Sequence, residues 1–227
     1  MNKKGILIQG KISYWTKHII EFYQKKIPDA EILLSTWINE KIDDIACDVI
    51  QLEPPKQKEI ISPTTVNFII VGVREGLKKM KSDVIMKCRT DQFIHNYHIF
   101  DLFQNCCCKE KIMVPSYGLG VRDYYIADFC QVGYKKILQK YWDNIPLFDS
   151  PRSLESAETY CVKNYIKKVN NDHRDWYTVM DEYFCIKGIH TDFKIEWEKW
   201  DTNTAYQENE KRNYKLYYKK AHELNLE

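Results

Sequence analysis

Asp83-Val84-Ile85-Met86-Lys87-Cys88-Arg89-Thr90-Asp91 begins as a short apolar strand and ends in three polar residues. Similar short apolar segments precede it, and two segments with apolar residues at helical spacing lie between them. The predicted strands are Gly5–Gln9, Ala30–Ser35, Cys47–Leu52 and Asp83–Cys88, and the predicted helices are Thr16–Lys26 and Asn67–Met80. Strands that are apolar throughout are typical of a parallel sheet covered on both faces. The sequence therefore predicts an α/β fold with a mostly parallel central sheet flanked by helices.

Polar residues follow three of the predicted strands. Gln9-Gly10 follows the first strand, Thr36-Trp37 the second and Arg89-Thr90-Asp91 the fourth. Because crossovers between parallel strands are right-handed, the carboxyl ends of the strands lie along one edge, and ligands of open α/β sheets bind outside that edge. We therefore expect the three segments to meet at one binding site, where Trp37 is suited to stack on a base or a sugar ring.

Arg89-Thr90-Asp91 carries the strongest indication of chemistry. A carboxylate such as Asp91 at this edge can hold a divalent cation that neutralises a leaving diphosphate. Arg89 can bind phosphate oxygens in a bidentate manner, and Lys87 lies on the same side of the strand. The alternative is structural, with Asp91 capping the next helix and pairing with Arg89. Gln9-Gly10 is either a close backbone approach to a ligand or a simple turn.

The sequence after Asp91 predicts a more mixed set of elements. These are a helix over Phe93–Cys107, a strand over Lys111–Pro115, a helix over Tyr134–Trp142, a helix from Glu155 or Ser156 to about Val169, a strand over Phe184–Ile189 and a charged helix over Asn209–Leu226. No internal repeat or linker interrupts them, so we expect one domain over residues 1–227. Tyrosines beside lysines on the last helix indicate a solvated face or contact with a membrane-linked acceptor or a partner chain, such as a second copy of this one.

Composition and charge exclude several classes of protein. Lys and Arg number 34 against 32 Asp and Glu, a net charge of +2, so we expect no nucleic-acid partner. The apolar stretch Val66–Val73 is too short for a membrane span, and the N-terminal segment fits a first strand better than a signal peptide. Eight cysteines without paired spacing are expected to be free thiols in a cytoplasmic protein. Glycine motifs for phosphate loops and dinucleotides are missing, which disfavours ATPases and dinucleotide oxidoreductases.

Several blocks of the sequence match a known family in the same order. The clearest are Ile6–Gly10, Ala30–Trp37, Gly76-Leu77 and Met86–Asp91, and looser ones are Ile126–Phe129 with Gly133, and Ser156–Tyr160. On these blocks the sequence resembles the WavE lipopolysaccharide-synthesis family of sugar transferases, and through it the nucleotide-sugar transferases of GT-A fold. The resemblance implies a nucleotide-diphospho-sugar donor, usually with Mg²⁺ or Mn²⁺, bound by residues 1–92. It also implies a glycan or lipid-linked glycan acceptor bound by residues 93–227.

The resemblance assigns donor-site roles to single residues. Arg-Thr-Asp stands where such enzymes carry Asp-x-Asp, so Asp91 is the acidic metal ligand of this block. Metal dependence stays open, because Arg89 can supply part of the charge of the ion. Arg74 occupies the counterpart of an Arg-Asn-x-Gly-like helix beside the donor site. His190 corresponds to a C-terminal metal ligand of some GT-A enzymes, and the alternative is an ordinary surface or core histidine.

Two carboxylates compete for the role of catalytic base. GT-A enzymes place a base at the start of a helix that lines the acceptor site, and Glu158 fits that place. Alternatively, Glu158 only complements the dipole of that helix, with Ser156 as its N-cap. Asp128 lies in another family-like block and is the competing base.

The resulting hypothesis is a GT-A-like glycosyltransferase of polysaccharide, lipopolysaccharide or glycoprotein-glycan synthesis. We expect an inverting reaction, since no covalent nucleophile is evident. A non-catalytic scaffold that binds sugar nucleotides is one alternative, favoured by the missing first carboxylate of Asp-x-Asp. A nucleotidyltransferase is another, although its N-terminal glycine-rich signature is lacking.

Overall fold

The computed structural model describes residues 2–56, 65–106, 109–120, 122–150, 154 and 156–199. The strands are β1 Lys4–Gln9, β2 Glu31–Trp37, β3 Asp48–Leu52, β4 Val84–Arg89, β5 Gln92–Ile94, β6 Ile112–Pro115, β7 Gln131–Tyr134, β8 Phe184–Lys187 and β9 Ile195–Trp197. The α-helices are α1 Thr16–Lys26, α2 Val66–Lys79, α3 Ile99–Cys106, α4 Lys135–Asp143, α5 Ala157–Lys163 and α6 Trp176–Tyr183. Two π-helical turns cover Asn164–Val169 and Ile189–Phe193.

Within the described residues, seven strands form the central sheet in the order β3-β2-β1-β4-β7-β6-β8. The first four strands of this order are mutually parallel, β7 runs antiparallel to both of its neighbours, and β6 pairs with β8 in parallel. β5 and β9 form a separate antiparallel pair. The predicted α/β fold with a mostly parallel sheet flanked by helices is confirmed.

The central sheet separates two apolar cores. Along β1, Leu7 faces a core built with α2, α4 and α5, whereas Ile6 and Ile8 face a core built with α1 and α3. Both sets of side chains are removed from water, and each such burial contributes about 1.5–3 kcal/mol. Burial on both faces is why consecutive apolar residues occur in the middle of these strands, as in Ile6-Leu7-Ile8.

Helix α2 packs closely on β1 and β2 because it carries glycine at the contact. A Cβ on Gly72 would lie 2.8 Å from Cγ of Gln9, too close for any other residue. The hydroxyl of Ser35 donates a hydrogen bond of 2.8 Å to the Gly72 carbonyl, which fixes the helix on the sheet. This packing brings the first turn of α2 to the carboxyl ends of β1 and β2.

The loops after β1 and β4 are bound to each other. Gln9, the last residue of β1, lies opposite Arg89 of β4. The Thr90 hydroxyl donates to the Lys11 carbonyl at 2.6 Å, and the Ser13 hydroxyl donates to the Thr90 carbonyl at 2.9 Å. Gly10 makes this approach possible, since its φ is +140° and an added Cβ would lie 2.9 Å from Oγ1 of Thr90.

The predicted elements before Arg89 agree with the structure to within one or two residues. The helix predicted over Phe93–Cys107 is wrong in its first part, because residues 92–94 form β5 and α3 begins at Ile99. The cause is long-range pairing, since β5 is held by β9 from the far end of the described chain. The helix predicted from Tyr134 begins one residue later, after β7.

Other predictions for the second half are confirmed in part. Ser156 caps a helix that continues to Val169, although its second part is π-helical. α6, β7 and β9 have no predicted counterpart, and the predicted helix over Asn209–Leu226 lies outside the described residues. The six described cysteines are free, as predicted, whereas Cys107 and Cys108 also lie outside the described residues. Across the described ranges, no helix has the length and apolar character needed to span a membrane.

Candidate active site

A cleft of about 530 Å³ opens at the carboxyl ends of β1, β2 and β4. We call it the rim cleft; its lining consists of residues 9–13, Trp37, Thr65, Phe68, Ile69, residues 89–91, Glu198 and Lys199. The structure thus brings together the three segments predicted to converge, except that Thr36 is fully buried and does not line the cleft. The volume of the rim cleft lies in the range of pockets that bind small molecules and cofactors.

One wall of the rim cleft is aromatic and apolar. The rings of Trp37 and Phe68 meet edge to face, with their centroids 5.0 Å apart. Ile12 and Ile69 extend the same wall. Trp37 is held at the end of β2 by strand pairing, and Phe68 is placed by the packing of α2 on β1. Such a wall offers flat apolar surface to a ring while the opposite wall remains polar.

The opposite wall contains a bidentate ion pair between Arg89 and Asp91. Nε of Arg89 donates to Oδ1 at 2.7 Å and a terminal nitrogen donates to Oδ2 at 2.9 Å. The indole Nε1 of Trp197 donates to the same Oδ2 at 3.1 Å. Burial acts to raise the pKa of Asp91, but the hydrogen bonds and charge of Arg89 outweigh it and hold that pKa below its usual value.

The segment Trp197–Lys199 completes this wall from a distant part of the chain. β9 pairs with β5, and the Glu198 amide donates to the Asp91 carbonyl at 3.1 Å. The Arg89 guanidinium lies 5.4 Å and the Lys199 ammonium 5.2 Å from the centre of the Trp197 ring, so both cations pack on the same indole. Burial, and then the charge of Arg89, lower the pKa of Lys199.

Asp128 and Glu158 form a carboxyl pair whose charges interact, and neither residue lines the rim cleft. Asp128 is buried, and within the described residues its Oδ2 has no hydrogen-bond partner. Glu158 lies in the first turn of α5, where the Tyr125 hydroxyl is 3.4 Å from its Oε1. Burial, and then the charge of Asp128, raise the pKa of Glu158 to about 7. A carboxyl with such a pKa exchanges its proton near neutral pH.

The carboxyl pair is connected to the rim cleft by packing and charge. The Phe129 ring, next to Asp128 in sequence, packs on Trp197 with centroids 5.4 Å apart. The charge of Asp128 also acts on Lys199, whose side chain lines the cleft. The two groups are therefore neighbouring parts of one region.

Besides Thr36, Asp128 and Glu158, three more predicted site residues do not line the rim cleft. Lys87 is fully buried, donates to the Asp128 carbonyl and lies 5.5 Å from the centre of the Trp142 ring. Burial lowers its pKa, while the charge of Asp128 opposes that change. Arg74 donates to the carbonyls of Trp142, at 3.1 Å, and Ile145, at 2.7 Å. His190 is exposed on the second π-helical turn.

Trp197 and Lys199 belong to the site although the sequence analysis singles out neither. Ile195-Glu196-Trp197 alternates buried and exposed residues, which is the pattern of a strand, and Lys199 follows two positions later. This pattern could have predicted β9. Its pairing with β5 and its contact with Asp91 have no local sign in the sequence.

Comparisons with known proteins give one family. The model of the family described as "WavE lipopolysaccharide synthesis" matches residues 8–174. This range is well over half of the chain and includes Arg89-Thr90-Asp91 and the carboxyl pair. Among curated proteins, none matches this chain.

The solved structures that this chain resembles include two glycosyltransferases and a synthase. A glycosyltransferase involved in the glycosylation of the major capsid of PBCV-1 is 9% identical, with a TM-score of 0.48 over 83% of each chain. The glycosyltransferase GlyE of Streptococcus pneumoniae is 12% identical, with a TM-score of 0.49 over 92% of this chain and 50% of that one. The 4-diphosphocytidyl-2C-methyl-D-erythritol synthase of Anaerococcus prevotii is 10% identical, with a TM-score of 0.46 over 82% of this chain and 87% of that one. The match over residues 8–174 is the finding that identifies the protein: the chain belongs to the WavE lipopolysaccharide synthesis family.

Proposed function

We propose that this protein is a glycosyltransferase that binds a nucleotide-diphospho-sugar in the rim cleft and transfers the sugar to a glycan or lipid-linked glycan. Membership of the WavE family supports lipopolysaccharide or a related polysaccharide as the product. The observation that carries the proposal is the pairing of an aromatic wall with a wall that carries cations in one cleft at the sheet edge. A nucleoside diphosphate needs both surfaces, one for its base and one for its phosphates.

The walls of the cleft suggest how the donor lies in it. We place the base against Trp37 and Phe68, and the diphosphate against Arg89 and Lys199. The sugar then extends from the diphosphate toward Asp128 and Glu158. We choose this direction because Lys199 lines the rim cleft and its charge also interacts with that of Asp128.

We assign the catalytic base to Glu158. In the proposed single displacement, the acceptor hydroxyl oxygen bonds to the anomeric carbon as the bond from that carbon to the diphosphate oxygen breaks. The diphosphate leaves with the electron pair, and the hydroxyl proton passes to the carboxylate. A pKa of about 7 suits this task, since the carboxylate is populated near neutral pH and still binds a proton well. Asp128 raises that pKa and remains the competing base.

The first prediction concerns donor binding. We expect a nucleoside diphosphate from a panel of UDP, GDP, CDP, ADP and dTDP, and its nucleotide sugars, to raise the melting temperature of the protein by mass action. Replacement Trp37→Leu should weaken that binding at least about tenfold, because stacking on a base is lost. Trp176→Leu, in the core and outside the lining of the cleft, controls for the removal of a buried indole. Equal affinities of the two variants, or no binding by the wild type, would contradict the proposal.

The second prediction concerns turnover. We expect the wild type to release nucleoside diphosphate slowly from its preferred donor, and Glu158→Gln to bind that donor normally while losing at least about a hundredfold in turnover. Loss of turnover in Asp128→Asn with full activity in Glu158→Gln would reassign the base. A wild type that binds donors but never turns them over with acceptor extracts would favour the scaffold alternative. Release of inorganic diphosphate from a nucleoside triphosphate and a sugar phosphate would instead identify a nucleotidyltransferase.

A further inference from the structure

The GT-A resemblance implies Mg²⁺ or Mn²⁺ held by Asp91, and the described residues do not fit such an ion. Both oxygens of Asp91 already accept hydrogen bonds, two from Arg89 and one from Trp197. His190 is exposed on a separate turn. Over the part of the chain that the structure describes, no group of three or more His, Cys, Asp or Glu side chains is arranged to hold a metal ion.

Charge also disfavours a metal at this position. The guanidinium of Arg89 neutralises the Asp91 carboxylate at 2.7 Å, so the carboxylate has little net attraction for a second cation. Lys199 adds another positive charge on the same indole. A divalent ion would have to break a bidentate pair and lie beside two cations in a half-buried site, where screening by water is weak.

Arg89 and Lys199 have the properties that a diphosphate-binding pair requires. The Arg89 side chain is 27% exposed, and both side chains line the rim cleft. Asp91 fixes the plane of the guanidinium through two parallel hydrogen bonds, and the Trp197 ring supports both cations. A guanidinium held in this way is ready to bind phosphate oxygens in a fixed geometry.

We infer that Arg89, as a hydrogen-bond donor, and Lys199, as a positive charge, hold the diphosphate of the donor in place of a divalent metal ion, and that Asp91 and Trp197 are positioning residues for these cations. This inference rests on the proposed function, because it assumes that the rim cleft binds a nucleoside diphosphate. It predicts a glycosyltransferase whose donor binding is independent of metal.

The test measures binding of the nucleoside diphosphates UDP, GDP, CDP, ADP and dTDP to the full chain by calorimetry, once with EDTA and once with MnCl₂. We expect the diphosphate that binds to do so with the same affinity, within about threefold, in both solutions. Binding that requires Mn²⁺, or that Mn²⁺ strengthens more than about tenfold, overturns the inference and leaves the proposed function intact. Failure of every diphosphate to bind in both solutions overturns the two together.

The variant Lys199→Gln tests one of the two assigned cations directly. Lys199→Gln should weaken diphosphate binding in EDTA at least about tenfold, because a charge-assisted contact is lost, and Mn²⁺ should not restore it. Arg174→Gln, a surface cation paired with Asp172 and Glu182, is the matched control and should bind as the wild type does. Equal binding by the two variants would contradict the role of Lys199.

Asp91→Asn separates a positioning residue from a metal ligand. The amide keeps the shape of the side chain and part of its hydrogen bonding, so we expect metal-free binding to persist with a loss of less than about tenfold. Asp91→Glu, which keeps the charge, should recover part of that loss. A metal ligand would behave differently: Mn²⁺ would strengthen binding by the wild type more than about tenfold and leave binding by the Asn variant unchanged, and that result would overturn the inference.

Discussion

Glu158 is a carboxyl group whose surroundings oppose its charge. Burial and the nearby Asp128 raise its pKa from 4.5 to about 7. Between these two values the folded protein therefore binds more protons at Glu158 than the unfolded chain does. The contribution of this group makes the free energy of unfolding fall as the pH rises from 4.5 to 7, and the loss is complete above pH 7.

The third prediction follows from this proton balance. Glu158→Gln removes the charge and keeps the shape, so it should stabilise the protein by about 2 kcal/mol at pH 8 and have little effect at pH 4.5. Urea unfolding of both proteins across this pH range measures the difference. Glu75→Gln, at a partly exposed glutamate paired with Lys78, should show no such pH-dependent gain. A constant difference between wild type and Glu158→Gln at all pH values would show that burial of the charge is not its cause.

The loop after β1 depends on one backbone conformation. Gly10 has a φ of +140°, and the loop that it begins is bound to Thr90 by hydrogen bonds in both directions. Any side chain at this position would meet both an unfavourable dihedral angle and the Thr90 hydroxyl. The strands β1 and β4 thus present their ends to the rim cleft only if this loop keeps its path.

The fourth prediction tests this loop. Gly10→Ala should destabilise the protein by about 1–3 kcal/mol and weaken donor binding, because the loop must move away from Thr90. Gly133→Ala is a suitable control, since its added Cβ would meet Leu138 at 3.4 Å and its φ is not positive. Denaturant unfolding gives the stabilities and calorimetry gives the affinities. If Gly10→Ala binds the donor as tightly as the control does, the path of this loop does not determine donor binding.

Strands and helices with a local pattern could be predicted from the sequence, and long-range pairs could not. β1, β2 and β4 are apolar runs bounded by polar or turn residues, and α1 begins and ends where its periodicity does. β5 and β9 have three residues each and are defined only by each other. The sequence pattern of residues 93–94 is therefore too short to distinguish a strand from the helix predicted there.

The candidate site was predictable to the same extent. The topology of a parallel sheet is enough to bring Gln9, Trp37 and Asp91 to one edge, and they line one cleft. Lys87 and Arg74 have the residue type that a phosphate site needs, but the charged ends of their side chains donate hydrogen bonds to main-chain carbonyls. These carbonyls belong to Asp128 before β7, to Trp142 in the last turn of α4 and to Ile145 after it, and no spacing in the sequence indicates them.

Over the molecule as a whole, positive and negative charges nearly balance, with a net charge of +2. A long-range field that attracts polyanions is therefore weak. Attraction for an anionic ligand has to come from the few cations of the rim cleft, Lys11, Arg89 and Lys199. Two of these are half-buried, where added salt screens them less than it screens surface charges.

The fifth prediction is a modest dependence on salt. Raising NaCl from about 50 to about 200 mM should weaken diphosphate binding by less than about tenfold, whereas proteins that bind many nucleic-acid phosphates lose about 10³-fold or more. A short single-stranded oligonucleotide should not bind at either concentration. Fluorescence titrations with a labelled nucleotide and a labelled oligonucleotide provide both measurements. Tight, strongly salt-dependent binding of the oligonucleotide would contradict the expectation that no nucleic acid is a partner.

The hydrogen bond from Trp197 to Asp91 joins residues that are 106 positions apart. During synthesis on the ribosome, the first four strands of the sheet can assemble long before this indole emerges. Until it does, the Arg89 guanidinium lacks the ring on which it packs. A chain cut before position 197 would lose that ring together with its share of the core around α1 and α3, and we expect such a chain to bind a diphosphate poorly.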